Sequence, residues 1–401
     1  MKHIIFGKPP IGTEEINFVS KVIKSKWIGS GKITQEFENK FRIFKGSKYA
    51  ISTNSCTSAL YLALKYSGVK AGDEVITTPM TFVSTINSII HVGAKPILAD
   101  VDPLSFNIDP IEIKKKITKK TKALLIPNLI GNIPDWKKLR KIANKYKLVL
   151  IEDSADTLGA KIQNKPTGYY SDVSITSFYG SHVISCAGNG GIMLTNDKNY
   201  YLRAKVLRSW GRMSTLIKDS ENINKRLGIK LKGFNYDRKF VFSEAGYNFE
   251  PSEIGAAFGL EQLKKFKYFS QLRNRNFKYH SSFFKKLNKY FVIPRIENKV
   301  RTNFLAYPVI LKNNNKFSRK KFQIFLEKHN IQTRPIFSGN ILRHPAFQKL
   351  ISSKNKLNNF KSSDYIMKNG LLIGCHQGLS NKDIFYIHSI ILKFLNERIT
   401  K

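Results

Sequence analysis

Between about residue 45 and residue 200, short apolar runs alternate with amphipathic stretches, and this alternation restricts the possible fold more than any other feature. AISTN (50–54), DEVITTP (73–79), KPILADV (95–101), KALLIPN (122–128) and LVLIED (148–153) read as strands. SCTSALYLALKYSG, TFVSTINSIIHVG, IEIKKKI and DWKKLRKIANKYK read as the helices between them. Repeated strand–helix units build an α/β fold, a mainly parallel sheet with helices on both faces. LVLIED is almost uninterrupted in apolar residues, as suits a strand covered on both sides. Ligands of such sheets sit beyond the carboxyl ends of the strands. The residues just after each strand are therefore the candidates for chemistry. After Gly191 the pattern loosens into a helix-rich section that includes a long amphipathic run over 253–287. From about residue 288, short strands such as FLAYPVIL mix with helices and read as a smaller C-terminal α+β domain. The expected division is 1–250 for the large domain with its N-terminal segment, and 251–401 for a linking helix and the small domain.

Charge is the odd feature. Lys and Arg number 68 against 28 Asp and Glu, a net charge of +40. The lysines are spread along the whole chain, and no helix-turn-helix pattern, zinc-finger spacing or RNA-binding aromatic motif accompanies them. A diffuse footprint of this kind fits compositional bias better than a nucleic-acid surface, so no nucleic-acid partner is expected. No apolar run reaches the roughly 20 residues of a membrane-spanning helix, and the N-terminal MKHIIFGKPPIGTEEI lacks the apolar core of a secretory signal. A cytoplasmic protein with no membrane partner is the expectation. Cys56, Cys186 and Cys375 form no CxxC pair and no disulfide framework. Three thiolates also fall short of the four an ordinary iron–sulfur cluster takes, and no metal site is expected.

Four segments lie where the sheet argument places a ligand. Asn54-Ser55-Cys56-Thr57-Ser58 runs from a strand into a helix through small polar residues. Free N–H groups and the positive end of the helix dipole can hold phosphate there, although small polar residues at a helix start are more often simple caps. Glu152-Asp153-Ser154-Ala155-Asp156 closes a buried strand with a carboxylate able to pair with a cationic ring nitrogen; the bland reading is again a cap. Thr176 to Gly191 carries hydroxyls, one histidine and a closing GxGG, where glycines permit close backbone approach. A lone histidine is more often structural than catalytic. Gly246-Tyr247-Asn248-Phe249-Glu250-Pro251-Ser252-Glu253 alone is no more than a loop and a helix start.

Taken together, the order and spacing of these segments resemble the DegT/DnrJ/EryC1/StrS family of pyridoxal-phosphate-dependent nucleotide-sugar aminotransferases. The likeness runs from Trp27-Ile28-Gly29-Ser30-Gly31 to the last helix. It implies an aspartate-aminotransferase-like PLP fold type I, with a mainly parallel seven-stranded sheet in the large domain, and a homodimer with shared active sites. It also implies roles for single residues. The N–H groups of Cys56 and Thr57 and the hydroxyl of Ser177 would hold the cofactor phosphate, and Asn248 would reach it from the partner subunit. Phe82 would stack on the pyridine ring, Asp153 would pair with its nitrogen, and Asp156 would belong to the same cofactor site. Ser181, Arg208, Arg212 and Arg334 are substrate-side candidates.

The departure from the family is the informative part. The aminotransferases carry a lysine, which forms the Schiff base, where this chain has His182. No lysine lies between Lys165 and Lys198. Histidine forms no stable imine but carries protons well near neutral pH. The swap resembles the branch of 4-keto-6-deoxyhexose 3-dehydratases, as does Gln332-Thr333-Arg334-Pro335-Ile336-Phe337-Ser338-Gly339-Asn340. Within that branch, the ascarylose-type form uses a four-cysteine cluster and a reductase. The colitose-type form, typified by GDP-4-keto-6-deoxymannose 3-dehydratase, has no cluster and takes its amino group from L-glutamate. The cysteine count favours the second. The resemblance therefore implies noncovalent pyridoxal or pyridoxamine 5'-phosphate, a nucleotide-linked 4-keto-6-deoxyhexose as substrate, and a place in deoxysugar or O-antigen biosynthesis. The alternatives are transamination, a reductase-linked dehydrase and a retired cofactor-binding scaffold. Asn189 departs from the glutamate common in the GxGG turn.

Overall fold

The computed structural model describes residues 3–217, 219–227, 229–313 and 317–399. Its centre is a seven-stranded sheet of β1 (Tyr49–Thr53), β2 (Glu74–Thr77), β3 (Lys95–Leu98), β4 (Thr121–Pro127), β5 (Val149–Asp153), β6 (Val173–Ser177) and β7 (Gly191–Thr195). The strand order is β1-β7-β6-β5-β4-β2-β3. The pairs β2–β3, β2–β4, β4–β5 and β5–β6 are parallel, whereas β7 runs antiparallel to both β6 and β1. The sheet is thus mainly parallel, as expected, with one reversed strand near its edge.

Five of these strands coincide with the apolar runs of the sequence; β6 and β7 do not. Hydroxyl side chains interrupt VSITS, and GIMLT follows directly on a glycine-rich turn. Yet every residue of both strands is buried. The helices α1 (Thr13–Lys24), α2 (Lys32–Lys45), α3 (Cys56–Tyr66) and α4 (Val83–His91) precede or interleave the first strands. One face of the sheet packs Leu62, Ala63, Ile89, Leu125 and Ile175 together, and the other packs Ile76, Leu124, Ile126, Trp136 and Leu139. Burial on both faces is what the unbroken apolar strands require.

The section after β7 is less helical than the sequence suggests. A helix at Lys198–Arg208 gives way to short turns and an exposed hairpin, Ile229–Leu231 against Phe234–Tyr236. The helix Glu253–Lys286 then spans 34 residues. Its first residue is a buried anchor: Glu253 accepts the N–H groups of Gly31, Ile33 and Thr34 at 2.9, 2.9 and 2.7 Å, and the Thr34 hydroxyl at 2.6 Å. This carboxylate fastens the start of α2 to the long helix. Beyond it, Phe291–Val292, Ala306–Leu311, Gly370–Gly374 and Thr333–Arg334 form a four-stranded antiparallel sheet. Phe284, Tyr307, Phe322, Ile373 and Phe394 fill the core between that sheet and its helices. Among the described residues, no helix is long and apolar enough to cross a membrane.

Candidate active site

The carboxyl ends of β1, β5 and β6 and the start of β7 meet at one edge of the large sheet, and most of the residues singled out from the sequence converge there. At the end of β1, Ser55 caps α3 by accepting the Ser58 N–H at 3.1 Å. No acceptor among the described residues takes the N–H groups of Cys56 and Thr57, which point out of the first helical turn as free donors. The Thr57 hydroxyl donates to Ser84 Oγ at 2.9 Å and so ties the start of α3 to α4. Gly191 makes the corner possible. A Cβ on it would lie 2.5 Å from the Ser55 carbonyl oxygen and 2.6 Å from the Cys56 nitrogen, so only glycine lets β7 begin against this turn. Ser177, at the end of β6, is buried and faces the Cys56 thiol.

Asp153 ends β5 in a buried position. Its Oδ2 accepts the Thr85 hydroxyl at 2.9 Å and its Oδ1 the Ala155 N–H at 3.1 Å. Burial pushes its carboxyl from 3.8 to about 6. Asp156 lies one turn further on; burial, then the charge of Asp153, pushes it up to about 8. His182 Nδ1 lies 3.9 Å from Asp156 Oδ1, and burial holds the imidazole down to about 4. The same burial, reinforced by both aspartates, raises the Cys56 thiol well above its usual range. Each group is driven toward its neutral form, which marks a dry pocket short of positive charge. A cationic ring nitrogen at Asp153 and a phosphate on the bare N–H groups of α3 answer both needs. The residues present therefore fit a pyridoxal-type cofactor. Phe82, just before α4, keeps its ring 59% exposed and free to cover such a ring.

The turn carrying His182 is held from several sides. The His182 N–H donates to Tyr179 O at 3.0 Å, and the Cys186 N–H to Phe178 O at 3.1 Å. Asn189, the departure in the GxGG, folds back so that its Oδ1 accepts the Gly190 N–H at 3.0 Å. Two supports escape sequence reasoning. Arg273, buried within the long helix, donates to Gln377 Oε1 at 2.6 Å, and Gln377 in turn donates to Val183 O at 3.1 Å. The C-terminal part thereby grips the residue next to His182. Beneath β5, Asn128 donates to Glu152 Oε1 at 3.1 Å and to Ser154 Oγ at 2.8 Å, and accepts Trp136 Nε1–H at 2.8 Å. An isolated arginine in a helix and a lone asparagine after a strand carry no local signal.

The substrate-side candidates separate. Arg208 is not available to a ligand: it is buried, with Nη1 on Glu38 at 2.8 Å and on Ser52 O at 3.0 Å, and Nε 3.5 Å from Glu250. Its acidic partners, Glu38 and Glu250, lie far away along the chain and are brought to it by the fold. Ser181 packs against Gly7 of the N-terminal segment, with its Cβ 3.5 Å from a Cβ built there. Arg212 stacks on Trp210 at 5.1 Å and near Phe240 at 5.8 Å, with its Nε buried and unpartnered. Arg334 is exposed over Phe6 at 5.6 Å. Within one chain the Asn248 side chain is exposed, and its carbonyl accepts Asn54 Nδ2–H at 3.2 Å.

Comparison with known proteins places this arrangement. The model of the DegT/DnrJ/EryC1/StrS aminotransferase family matches residues 9–392. The lipopolysaccharide biosynthesis protein RfbH of Salmonella typhimurium is 31% identical, over 96% of this chain and 90% of that protein. A GDP-perosamine synthase of Caulobacter vibrioides is 29% identical, over 96% of both chains. The structure of E. coli GDP-4-keto-6-deoxy-D-mannose-3-dehydratase with bound hydrated PLP superposes with a TM-score of 0.87 at 28% identity, covering 98% of this chain and 99% of that one. The relatives thus include both a dehydratase and the synthase of an amino sugar. With the family model spanning nearly its whole length, the chain belongs to the DegT/DnrJ/EryC1/StrS aminotransferase family.

Proposed function

We propose that this chain is a pyridoxamine-phosphate-dependent 3-dehydratase of a nucleotide-linked 4-keto-6-deoxyhexose, with L-glutamate as amino donor, acting in the cytoplasm in deoxysugar or O-antigen biosynthesis. The observation that carries this reading is a turn with a histidine and no lysine. The turn that faces Asp156 offers His182, and no lysine lies between Lys165 and Lys198. Lys45 is the one buried lysine among the described residues. It donates to Thr167 Oγ1 and faces Glu152, whose side chain leaves β5 on the face opposite Asp153. Lys45 is therefore committed elsewhere, and in this reading the cofactor is held without a covalent bond.

When bound, pyridoxamine phosphate supplies an amine for the C4 ketone and a ring that takes up electrons as the C3 hydroxyl departs. The chain supplies the rest. Cys56, Thr57 and Ser177 would hold the phosphate, and Asp153 would keep the ring nitrogen protonated. His182 would act as the proton carrier, accepting a proton from the cofactor's C4′ and passing it to the departing hydroxyl. Over one cycle the sugar loses one oxygen, glutamate becomes 2-oxoglutarate and one ammonia is released, so the two electrons that reduce C3 come from glutamate. GDP-4-keto-6-deoxymannose is the substrate to try first, since a dehydratase acting on it shares the fold. A second copy completing the site with Asn248 is part of the proposal. Large apolar side chains support it by facing solvent in the preceding section: Phe234 is 75% and Ile223 69% exposed.

The second reading is transamination, which the GDP-perosamine synthase relative favours. Incubation with GDP-4-keto-6-deoxymannose, pyridoxal phosphate and ¹⁵N-glutamate separates the two. Dehydration releases the label as ammonia; transamination leaves it on the sugar and sinks the proposal.

A further inference from the structure

A buried imidazole nitrogen with no partner calls for an explanation, and His182 Nδ1 is such an atom. The carboxyl group that faces it is Asp156, whose Oδ1 lies 3.9 Å away; the two side chains are 14% and 12% exposed. The other oxygen, Asp156 Oδ2, accepts the Ile130 N–H at 3.3 Å. That bond fixes the carboxyl and leaves Oδ1 turned to the imidazole. Both groups sit on braced turns. The Thr157 N–H bonds to Ser154 O at 3.1 Å on one side, and the His182 N–H to Tyr179 O on the other. A shift of about 1 Å closes the gap to a charge-assisted hydrogen bond.

We propose that Asp156 is the positioning residue of His182, so that the carboxyl group and the imidazole bind and release protons as one unit and Nε2 is the nitrogen presented to the reaction. This rests on the reading of His182 as the proton carrier. In the base form the pair holds one proton, on Nδ1 against the Asp156 carboxylate, and the Nε2 lone pair is free. When Nε2 takes a proton, the imidazolium lies against that carboxylate and the net charge of the pair goes from −1 to zero. When Nε2 gives the proton to the leaving hydroxyl, the base form returns, with no other reactant needed. The surroundings favour a shared proton over two separate charges. Asp153 opposes ionisation of Asp156, Arg273 opposes protonation of His182, and burial opposes both. The other neighbours are the Ala155 backbone, which hydrogen-bonds the imidazole and favours its protonated form, the Cys56 thiol, which feels both aspartates, and the Tyr179 ring, 6.3 Å from the imidazole. With a pair this close, the apparent titration belongs to the unit.

The test is ¹⁵N NMR of the imidazole nitrogens in the full-length protein, with and without pyridoxamine phosphate, across pH. The variants are Asp156→Asn and Asp156→Glu, with His182→Asn to assign the signal. The wild type should show the proton on Nδ1 in its base form. Asp156→Asn should shift the His182 proton toward Nε2, move its midpoint by at least about one pH unit, and lower turnover on the order of 100-fold. Asp156→Glu should restore the Nδ1 form in part. An unchanged tautomer and midpoint in Asp156→Asn, with only cofactor affinity altered, would make Asp156 a cofactor ligand and overturn the proposal. That outcome is independent of which reaction the enzyme performs, because the labelled-glutamate assay reads the reaction and the imidazole signals read the pair.

Discussion

Replacing Asp153 by asparagine should stabilise the cofactor-free protein at neutral pH while weakening cofactor binding. Burial raises the carboxyl from 3.8 to about 6, so the folded state prefers the protonated form. Between those two values the folded protein binds more protons than the unfolded chain, and stability falls as pH rises. The penalty is absent below 3.8 and complete above about 6. At about 1.4 kcal/mol for each pH unit of that gap, it reaches about 3 kcal/mol. Asparagine carries no such penalty. It can also accept the Thr85 hydroxyl or the Ala155 N–H, though not both through one oxygen, and that loss costs about 1 kcal/mol at every pH. Urea denaturation of the cofactor-free wild type and Asp153→Asn protein, compared at about pH 4 and about pH 7.5, isolates the pH-dependent part. The variant's advantage should grow by about 2–3 kcal/mol between the two conditions. Cofactor titration at the higher pH should show the opposite effect on binding. A stability difference that does not change with pH would refute the reasoning, because it would mean that burial does not set the charge of Asp153.

Other positions give independent checks. His182→Lys should let borohydride trap the cofactor covalently, which mass spectrometry of the intact chain detects, and should abolish ammonia release. Gly191→Ala places a methyl group against the Ser55 and Cys56 backbone; it should weaken cofactor binding at least about tenfold, as read by absorbance titration. Glu253→Ala leaves three N–H groups and a hydroxyl without their shared acceptor and should cost about 3 kcal/mol in denaturant unfolding. Arg208→Ala should lower the melting temperature through the stranded Glu38 and Glu250, without a selective change in KM for the sugar.

Most of the large sheet was legible because its strands are apolar on both faces and its helices keep one apolar side. The two strands that escaped, β6 and β7, are buried but rich in hydroxyls or attached to a glycine turn, so their burial has no sequence signature. The site was legible only in part, and for a physical reason. Asp153, Ser177 and the start of α3 occupy strand ends, where local pattern alone suggests a ligand. The 3.9 Å approach of His182 to Asp156 joins two loops 26 residues apart, and no spacing rule predicts it. The ion pairs of Arg208 were hidden in the same way, since its carboxylates stand at positions 38 and 250. Arg273 and Gln377, which brace the His182 turn from the C-terminal half, become visible only once the fold brings them together.

The central claim is that a histidine in the lysine position turns amination into loss of the C3 hydroxyl. Mass spectrometry and proton NMR of the nucleotide-sugar product, formed from GDP-4-keto-6-deoxymannose with L-glutamate, test it most directly. The account predicts a product lighter by one oxygen, with a methylene at C3 and the C4 ketone intact. A product that keeps its C3 hydroxyl and carries an amino group at C4 would contradict it.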